Sequence, residues 1–438
     1  MGQRILGVLI LQLFLVITGC SSDSGESAPV VPEPPVITLA KVKSFSKNSG
    51  ETGETITIYG ENFSNKTSDI KITFDGIESS VLSATATEIA IKLPQSEKML
   101  PQLALKIENR TVINEVTNDY SGNIGIFPAI SLAEWVLQEN NLRESGGIPR
   151  IQMVNDKIVY ANSNVTGGGV YRTLDGGLTW KRWAINGFNA GFYATINDEG
   201  WSQTGFGVSK IAKGGYEGID TFAQFGDAKD QAGTPYCLYV DSDMKNGTWV
   251  SQKGTVFTTS NGVDFAKVYE VVDKTSNISL LLSTEFDNNH IWVIGREIIK
   301  NNTETRPFVL FKNNTTDGWK EYPFVSEVGY TAKEISFVDK ETGFLLISNT
   351  LTSDVKLFKT TNGGDSWVSV YNGEKFTKFT FKDAKTGWAI LDNKIYKTTD
   401  SGTTWTLDYT HNEAIRSISY KNNVVWAIST AKILKRFF

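Results

Sequence analysis

Cysteine and histidine are nearly missing from this chain. Its 438 residues hold two of each, Cys20, Cys237, His290 and His411. So few sulfur and imidazole groups exclude a disulfide scaffold and the usual zinc clusters, and they leave a thiol nucleophile short of a base. No metal and no cofactor is expected. Excess positive charge is also lacking: 43 Lys and Arg face 48 Asp and Glu, a net charge of −5. A phosphate backbone is therefore not an expected partner, and nucleic acid is set aside. Beyond the first seventeen residues there is no long apolar run, so no transmembrane helix is expected.

Aromatic residues make up 11% of the chain and glycines number 39, which suits many short strands joined by tight turns. The expected class is all-β. The length exceeds the usual size of one core and argues for two domains, one of them large. Cys237, in Pro235-Tyr236-Cys237-Leu238-Tyr239, reads as a small apolar residue buried in a strand.

The N-terminus has a short polar start with Arg4, then an apolar stretch from Ile5 to Ile17 that is too short for a stable membrane span. It ends in Ile17-Thr18-Gly19-Cys20, which resembles the bacterial lipobox. The resemblance implies a signal peptide over residues 1–19 and acylation of Cys20 as the mature N-terminus. Each buried acyl CH₂ contributes roughly 0.8 kcal/mol, so several chains on one residue hold a soluble protein at a membrane. Residues 20–34, with Ser21-Ser22-Asp23-Ser24-Gly25-Glu26-Ser27 and then Pro29, Pro32 and Pro34, read as an extended tether. The acidic tract resembles the export signal that sends lipoproteins to the outer-membrane surface in Bacteroidetes-type bacteria. It reads equally as a solvated linker.

Residues 35–128 alternate short apolar-polar runs with turns: Thr55-Ile56-Thr57-Ile58-Tyr59, Ile70-Lys71-Ile72-Thr73-Phe74 before Asp75-Gly76, Glu88-Ile89-Ala90-Ile91-Lys92, and Leu103-Ala104-Leu105-Lys106-Ile107. Such runs predict a small sandwich. Together with Gly60-Glu61-Asn62-Phe63 and Leu93-Pro94, they resemble the IPT/TIG family of immunoglobulin-like domains. That resemblance implies a spacer or a protein-contact module without catalytic residues.

Residues 129–438 repeat themselves. Thr173-Leu174-Asp175-Gly176-Gly177-Leu178-Thr179-Trp180, Thr360-Thr361-Asn362-Gly363-Gly364-Asp365-Ser366-Trp367 and Thr398-Thr399-Asp400-Ser401-Gly402-Thr403-Thr404-Trp405 share one pattern. Its Thr and Asp side chains meet turn amides, its glycine supplies a positive φ, and its Trp packs back over the turn. The three copies resemble the Asp-box (BNR) repeat, with Asn362 in place of Asp once. Thr259-Ser260-Asn261-Gly262 to Phe265 is a weaker copy, and Phe311-Lys312-Asn313 through Trp319 a remnant. Gly-Trp strands such as Gly387-Trp388 precede the boxes, so each unit reads as one four-stranded propeller blade. Units fall near 148–187, 188–226, 227–272, 275–326, 330–373, 375–410 and 412–438. Seven blades are expected, with six or eight as alternatives because the second and fourth units are degenerate. The last unit lacks an outer strand, which residues 131–137 are expected to supply, with Trp135 in the box-Trp place, closing the ring.

Asp-box propellers include sialidases, whose chemistry needs an arginine clamp, a Tyr–Glu nucleophile pair and an acid/base Asp. Gly147-Ile148-Pro149-Arg150 is similar to the sialidase Arg-Ile-Pro strand, but its arginine is on the wrong side of the proline. The paired Gly-Trp-Ala and Thr-Thr-Asp/Asn-x-Gly elements look more like the photosystem-II-assembly-factor (Ycf48-like) propellers, which implies a binding scaffold. No catalytic residue is expected. The favoured reading is a surface binding or adhesion module for a glycan or protein, with Trp183, Trp249, Tyr216 and Tyr236 as candidate sugar-stacking residues. The competing reading is a glycoside hydrolase or lyase with carboxylates in the propeller mouth.

Overall fold

The computed structural model describes residues 38–96, 98–118, 120–127, 135–139, 150–162, 169–184, 191–204, 207–215, 235–271, 277–299, 304–429 and 432–438. Cys20 and Tyr216 lie outside them. Described secondary structure is strand throughout except for one 3-10 turn, Thr67–Asp69. Among the described residues no helix is long and apolar enough to cross a membrane.

The first domain follows from strict alternation. Ile56 and Ile58, Ile72 and Phe74, and Ile89 and Ile91 all point inward and are fully buried. Strand Thr38–Phe45 pairs antiparallel with Thr55–Glu61 on one side and parallel with Arg110–Asn114 on the other. Its double pairing closes the immunoglobulin-like sheets into a seven-stranded barrel. Asn62 takes the left-handed conformation at φ 56°, and this turn delivers Phe63 into the core at 2% exposure.

The second domain is a ring of seven sheets. Blade 1 spans strands from Arg150–Met153 to Lys181–Ala184, and blade 2 from Phe192–Ala194 to Gly207–Ile211. Blade 3 starts at Pro235–Val240, blade 4 at Asn277–Asp287, blade 5 at Tyr330–Phe337, blade 6 at Lys378–Phe381 and blade 7 at Ile415–Lys421. Each first strand lies innermost. Blade 2 has three strands among the described residues, whereas the other blades have four.

Blade 7 takes its outer strand from Val136–Glu139, which pairs antiparallel with Lys432–Phe437 and closes the ring with chain that precedes blade 1. Residues 131–134 of the expected closing segment lie outside the described residues. Trp135 stands just before the strand, donates its indole N–H to Asp408 at 2.9 Å and packs beside Tyr409.

Trp201, Trp292, Trp388 and Trp426, on the second strands of blades 2, 4, 6 and 7, are at most 1% exposed and form the seams between blades. Blade 3 shows what this close packing demands. Its Gly247 lies so near Trp201 of blade 2 that a Cβ there would sit 2.2 Å from the indole.

Candidate functional site

Seven inner strands enclose a central cavity of about 800 Å³, lined by residues 151–154, 193–196, 239–242, 282–286, 334–338, 378–382 and 417–422. These are the C-terminal ends of the inner strands. Strands alternate in direction within a blade, so the turn after each inner strand and the box turn lie at the same end. Backbone bonds confirm it: Gly176 donates to Lys157 at 2.9 Å, Gly363 to Glu341 at 2.8 Å and Ser401 to Lys385 at 2.9 Å. The cavity mouth and the boxes share a face.

Hydroxyl groups dominate the wall, with Thr195, Ser283, Thr380 and Ser417 all buried. Ile196 and Phe286 give it an apolar rim at 51% and 38% exposure. Three carboxylates line it, Asp241, Glu285 and Glu334. All three are engaged. Asp241 accepts from the amides of Lys245 and Asn246, both at 3.1 Å, and from the Asn246 side chain at 2.7 Å. Glu334 is paired with Lys378, and Glu285 accepts from the Ser283 hydroxyl.

Tyr239 packs 5.0 Å from Tyr193 across the seam of blades 2 and 3. Burial, reinforced by Asp241, Asp287 and Glu285, pushes its phenol up to about 12. A phenol held that high stays protonated near neutrality, the opposite of an activated tyrosine nucleophile. Among the described residues no arginine lines the cavity. Arg172 is bound to Asp198, Arg306 to Glu297, and Arg436 to Asp408 at 2.6 Å. Among the described residues the carboxylate clamp of a sialidase has no counterpart in this wall.

Among the described residues no group of His, Cys, Asp or Glu is placed to hold a metal ion. His290 bonds Asp287 at 2.8 Å, and burial pushes the buried His411 below the usual imidazole range. Cys237 is 2% exposed within the seam of blades 3 and 4.

Two of the aromatic candidates must be corrected. Trp183 is fully buried, edge-on to Tyr160 at 4.9 Å, with its N–H on the Asp198 carbonyl. Trp249 is 4% exposed and stacked on Phe257 at 4.1 Å. Neither face is open to a sugar, because each completes the seam between blades. Tyr236 lies on the inner strand of blade 3.

The box residues hold their turns together by one recurring set of bonds. In box 1, Thr173 donates to Asp175 at 2.6 Å, Gly177 N–H donates to Thr173 at 2.6 Å, and the Thr179 amide donates to Asp175 at 3.0 Å. Thr360, Asn362 and Gly364 repeat this with the Ser366 amide, and Thr398, Asp400 and Gly402 with the Thr404 amide. Trp180 and Trp367 are buried and Trp405 is half-buried. Each box also braces the preceding blade. Gly177, at φ +84°, would place a Cβ 3.0 Å from Trp426 of blade 7.

Box 1 has a further neighbour that sequence patterning does not reveal. Tyr120 of the barrel domain donates its hydroxyl to Asp175 at 2.7 Å, while Met99, Tyr120, Phe127 and Leu178 form a buried cluster across the domain junction. Lys435 of blade 7 ends in the same place. Its ammonium lies 3.9 Å from the centre of the Trp426 ring, bonds the Gly176 carbonyl and touches Met99 sulfur at 3.5 Å. A cation in the closing hairpin and a tyrosine far earlier in the chain carry no common motif, so only the fold unites them. The first domain therefore docks on the face into which the cavity opens.

Residues 40–122 match the IPT/TIG domain family. This segment is an IPT/TIG domain. The chain matches no curated protein. Solved structures similar to it include "YCF48 bound to D1 peptide", at 11% identity and a TM-score of 0.44 over 71% of this chain and 98% of that one. An auxiliary nutrient binding protein from Bacteroides ovatus is 12% identical at a TM-score of 0.40, over 92% of this chain and 99% of its own. A Hadza microbial sialidase is 12% identical at 0.43, over 81% and 78%.

Proposed function

We propose that this chain is a cell-envelope lipoprotein, acylated at Cys20 and held on the outer face of a bacterial outer membrane, whose propeller binds a glycan or protein partner. The IPT/TIG domain serves as its spacer. One observation carries the binding reading: among the described residues every carboxylate that lines the central cavity is already engaged by an amide, a hydroxyl or an ammonium. A glycosidase needs two carboxyl groups free to act as acid and as base or nucleophile. A wall of hydroxyls with Phe286 and Ile196 at its rim suits a sugar, whose hydroxyls take hydrogen bonds and whose C–H face takes apolar contact.

A glycan array with the soluble chain from Ser21 onward, joined to a hydrolysis assay on the same sugars, tests the proposal. Binding without turnover is expected, and Phe286→Ala is expected to weaken it about tenfold, the loss of one well-placed contact of about 1.4 kcal/mol. Turnover of any bound sugar would establish the hydrolase or lyase reading instead. Protease treatment of intact cells should remove the propeller if it faces outward.

A further inference from the structure

The wall of the central cavity sorts its charges by blade. Its carboxylates stand on blades 3, 4 and 5, as Asp241, Glu285 and Glu334, and its ammonium groups on blades 6 and 7, as Lys378, Lys382 and Lys421. Among the described residues blades 1 and 2 add no charge to it. We propose that the cavity takes an amino sugar, with the sugar ammonium seated on Asp241 against Tyr193 and Tyr239. This rests on the reading of the cavity as a binding site and names the class of its ligand.

Asp241 is the first argument. Its Oδ1 accepts from the amides of Lys245 and Asn246, and its Oδ2 from the Asn246 side chain, so three neutral donors orient the carboxylate without cancelling its charge. The Lys245 ammonium goes to Asp243 instead, at 3.7 Å. A carboxylate offers about four acceptor positions, which leaves Oδ2 able to take one more donor. Lys378, Lys382 and Lys421 repel an ammonium from the opposite side of the ring, so the charges of the wall set one orientation for a cationic sugar.

The surroundings of Asp241 are the second. Tyr193 and Tyr239 line the same sector with ring centres 5.0 Å apart, and a cation gains electrostatic energy beside aromatic rings where water is scarce. Tyr239 already stands in a negative field: after burial, the charges of Asp241, Asp287 and Glu285 raise its phenol. The rest of the wall favours a sugar over a basic peptide. Thr284, Ser336 and Ser419 add half-buried hydroxyls from blades 4, 5 and 7, and Ile196 and Phe286 hold the rim. A sugar carries its ammonium among hydroxyls that match these groups, whereas a lysine carries it on an apolar stem that would lie along a polar wall.

Calorimetric titration of the full chain in detergent tests this, in buffer acidic enough to protonate a sugar amine. The probes are a glucosamine trisaccharide, the same trisaccharide N-acetylated, and a capped alanine-lysine-alanine peptide. The amine form is expected to bind at least about tenfold more tightly than the acetylated form, the scale of one hydrogen bond to a charged group, and to lose that advantage as salt is added. Asp241→Asn keeps an oxygen for the two amides, drops the charge and should level the two sugars. Phe286→Ala should weaken both sugars alike, and Glu78→Gln, on the first domain, should change neither. Equal affinity for the two sugars, no heat with the amine form, a preference that survives Asp241→Asn, or tighter binding of the peptide than of the amine sugar would overturn the proposal. Acetylated sugar bound as tightly as the amine form sinks this subsite alone and spares the binding reading. Hydrolysis of either sugar sinks that reading and leaves the ammonium preference standing.

Discussion

Box 1 and the box of blade 6 make the same internal bonds to within a few tenths of an ångström, yet one lies beneath a second domain and the other faces solvent. The distinction rests on the residue before the last conserved glycine. Box 1 has Gly176 there, at φ +66°, where a Cβ would stand 2.6 Å from the Phe127 ring of the IPT/TIG domain. Box 6 has Ser401 at φ 67°, whose hydroxyl donates to the Ala384 carbonyl at 2.7 Å and accepts from the Lys359 ammonium at 3.0 Å. The turn itself accepts a side chain at this position. What forbids it in box 1 is the docked domain, so the motif sets the turn and its variable position records what rests on it.

Removing the wall beneath each box should have the largest effect. Trp426→Ala takes away the ring under Gly177 together with the partner of Lys435, and a loss of about 3–5 kcal/mol is expected in denaturant unfolding. Leu357→Ala beneath Gly402 should cost about 2–4 kcal/mol, with the domain junction undisturbed. Equal sensitivity of the junction in both variants would erase the contrast between the boxes. Next in size is Gly176→Ser, which gives box 1 the residue found in box 6. Overpacking against Phe127 should cost about 1–3 kcal/mol. The loss should appear as easier proteolysis between the domains while the ring stays folded. The reciprocal Ser401→Gly should change stability by no more than about 1 kcal/mol.

Much of this was legible in the chain because local rules govern it. Alternation gave the barrel strands, the Thr-x-Asp-x-Gly spacing gave the box turns, and the missing outer strand of the last unit pointed to closure by residues around Trp135. Aromatic side chains were harder to place. Trp183 and Trp249 show no box or Gly-Trp pattern and so looked available for a ligand, but seven blades need a filler at every seam, and both fill one. The junction was invisible for another reason. Tyr120, Gly176 and Lys435 become neighbours only after ring closure brings the last strand beside the first blade, and no periodicity spans that separation.

Tyr120→Phe removes the hydroxyl bond by which the first domain holds Asp175. Asp175 keeps its Thr173 and Thr179 donors, so box 1 should stay intact, and the cost should be about 1 kcal/mol, again seen in proteolysis between the domains. Box 6 offers no identical change, because among the described residues the side-chain partners of Asp400 are Thr398 and Thr404 of its own turn.

The smallest expected effect is the most specific to the junction. Burial pushes the Lys435 ammonium well below the usual lysine range, against the opposing pull of Asp175 and Asp156. The unfolded chain therefore binds a proton that the folded chain holds less tightly. Stability must rise with pH through the window that begins at the depressed folded value and ends near the unfolded value of 10.5, and below that window the cost of burying the charge is fully present. Lys435→Met, which fills the same space without a titrating group, should flatten this rise. Denaturant midpoints of both proteins measured from neutral to alkaline pH should converge as pH climbs, with the wild type gaining on the variant. Parallel curves would mean that the Trp426 face and the Gly176 carbonyl already compensate the buried charge in full, and box 1 would then owe its docking to Tyr120 and the apolar cluster alone.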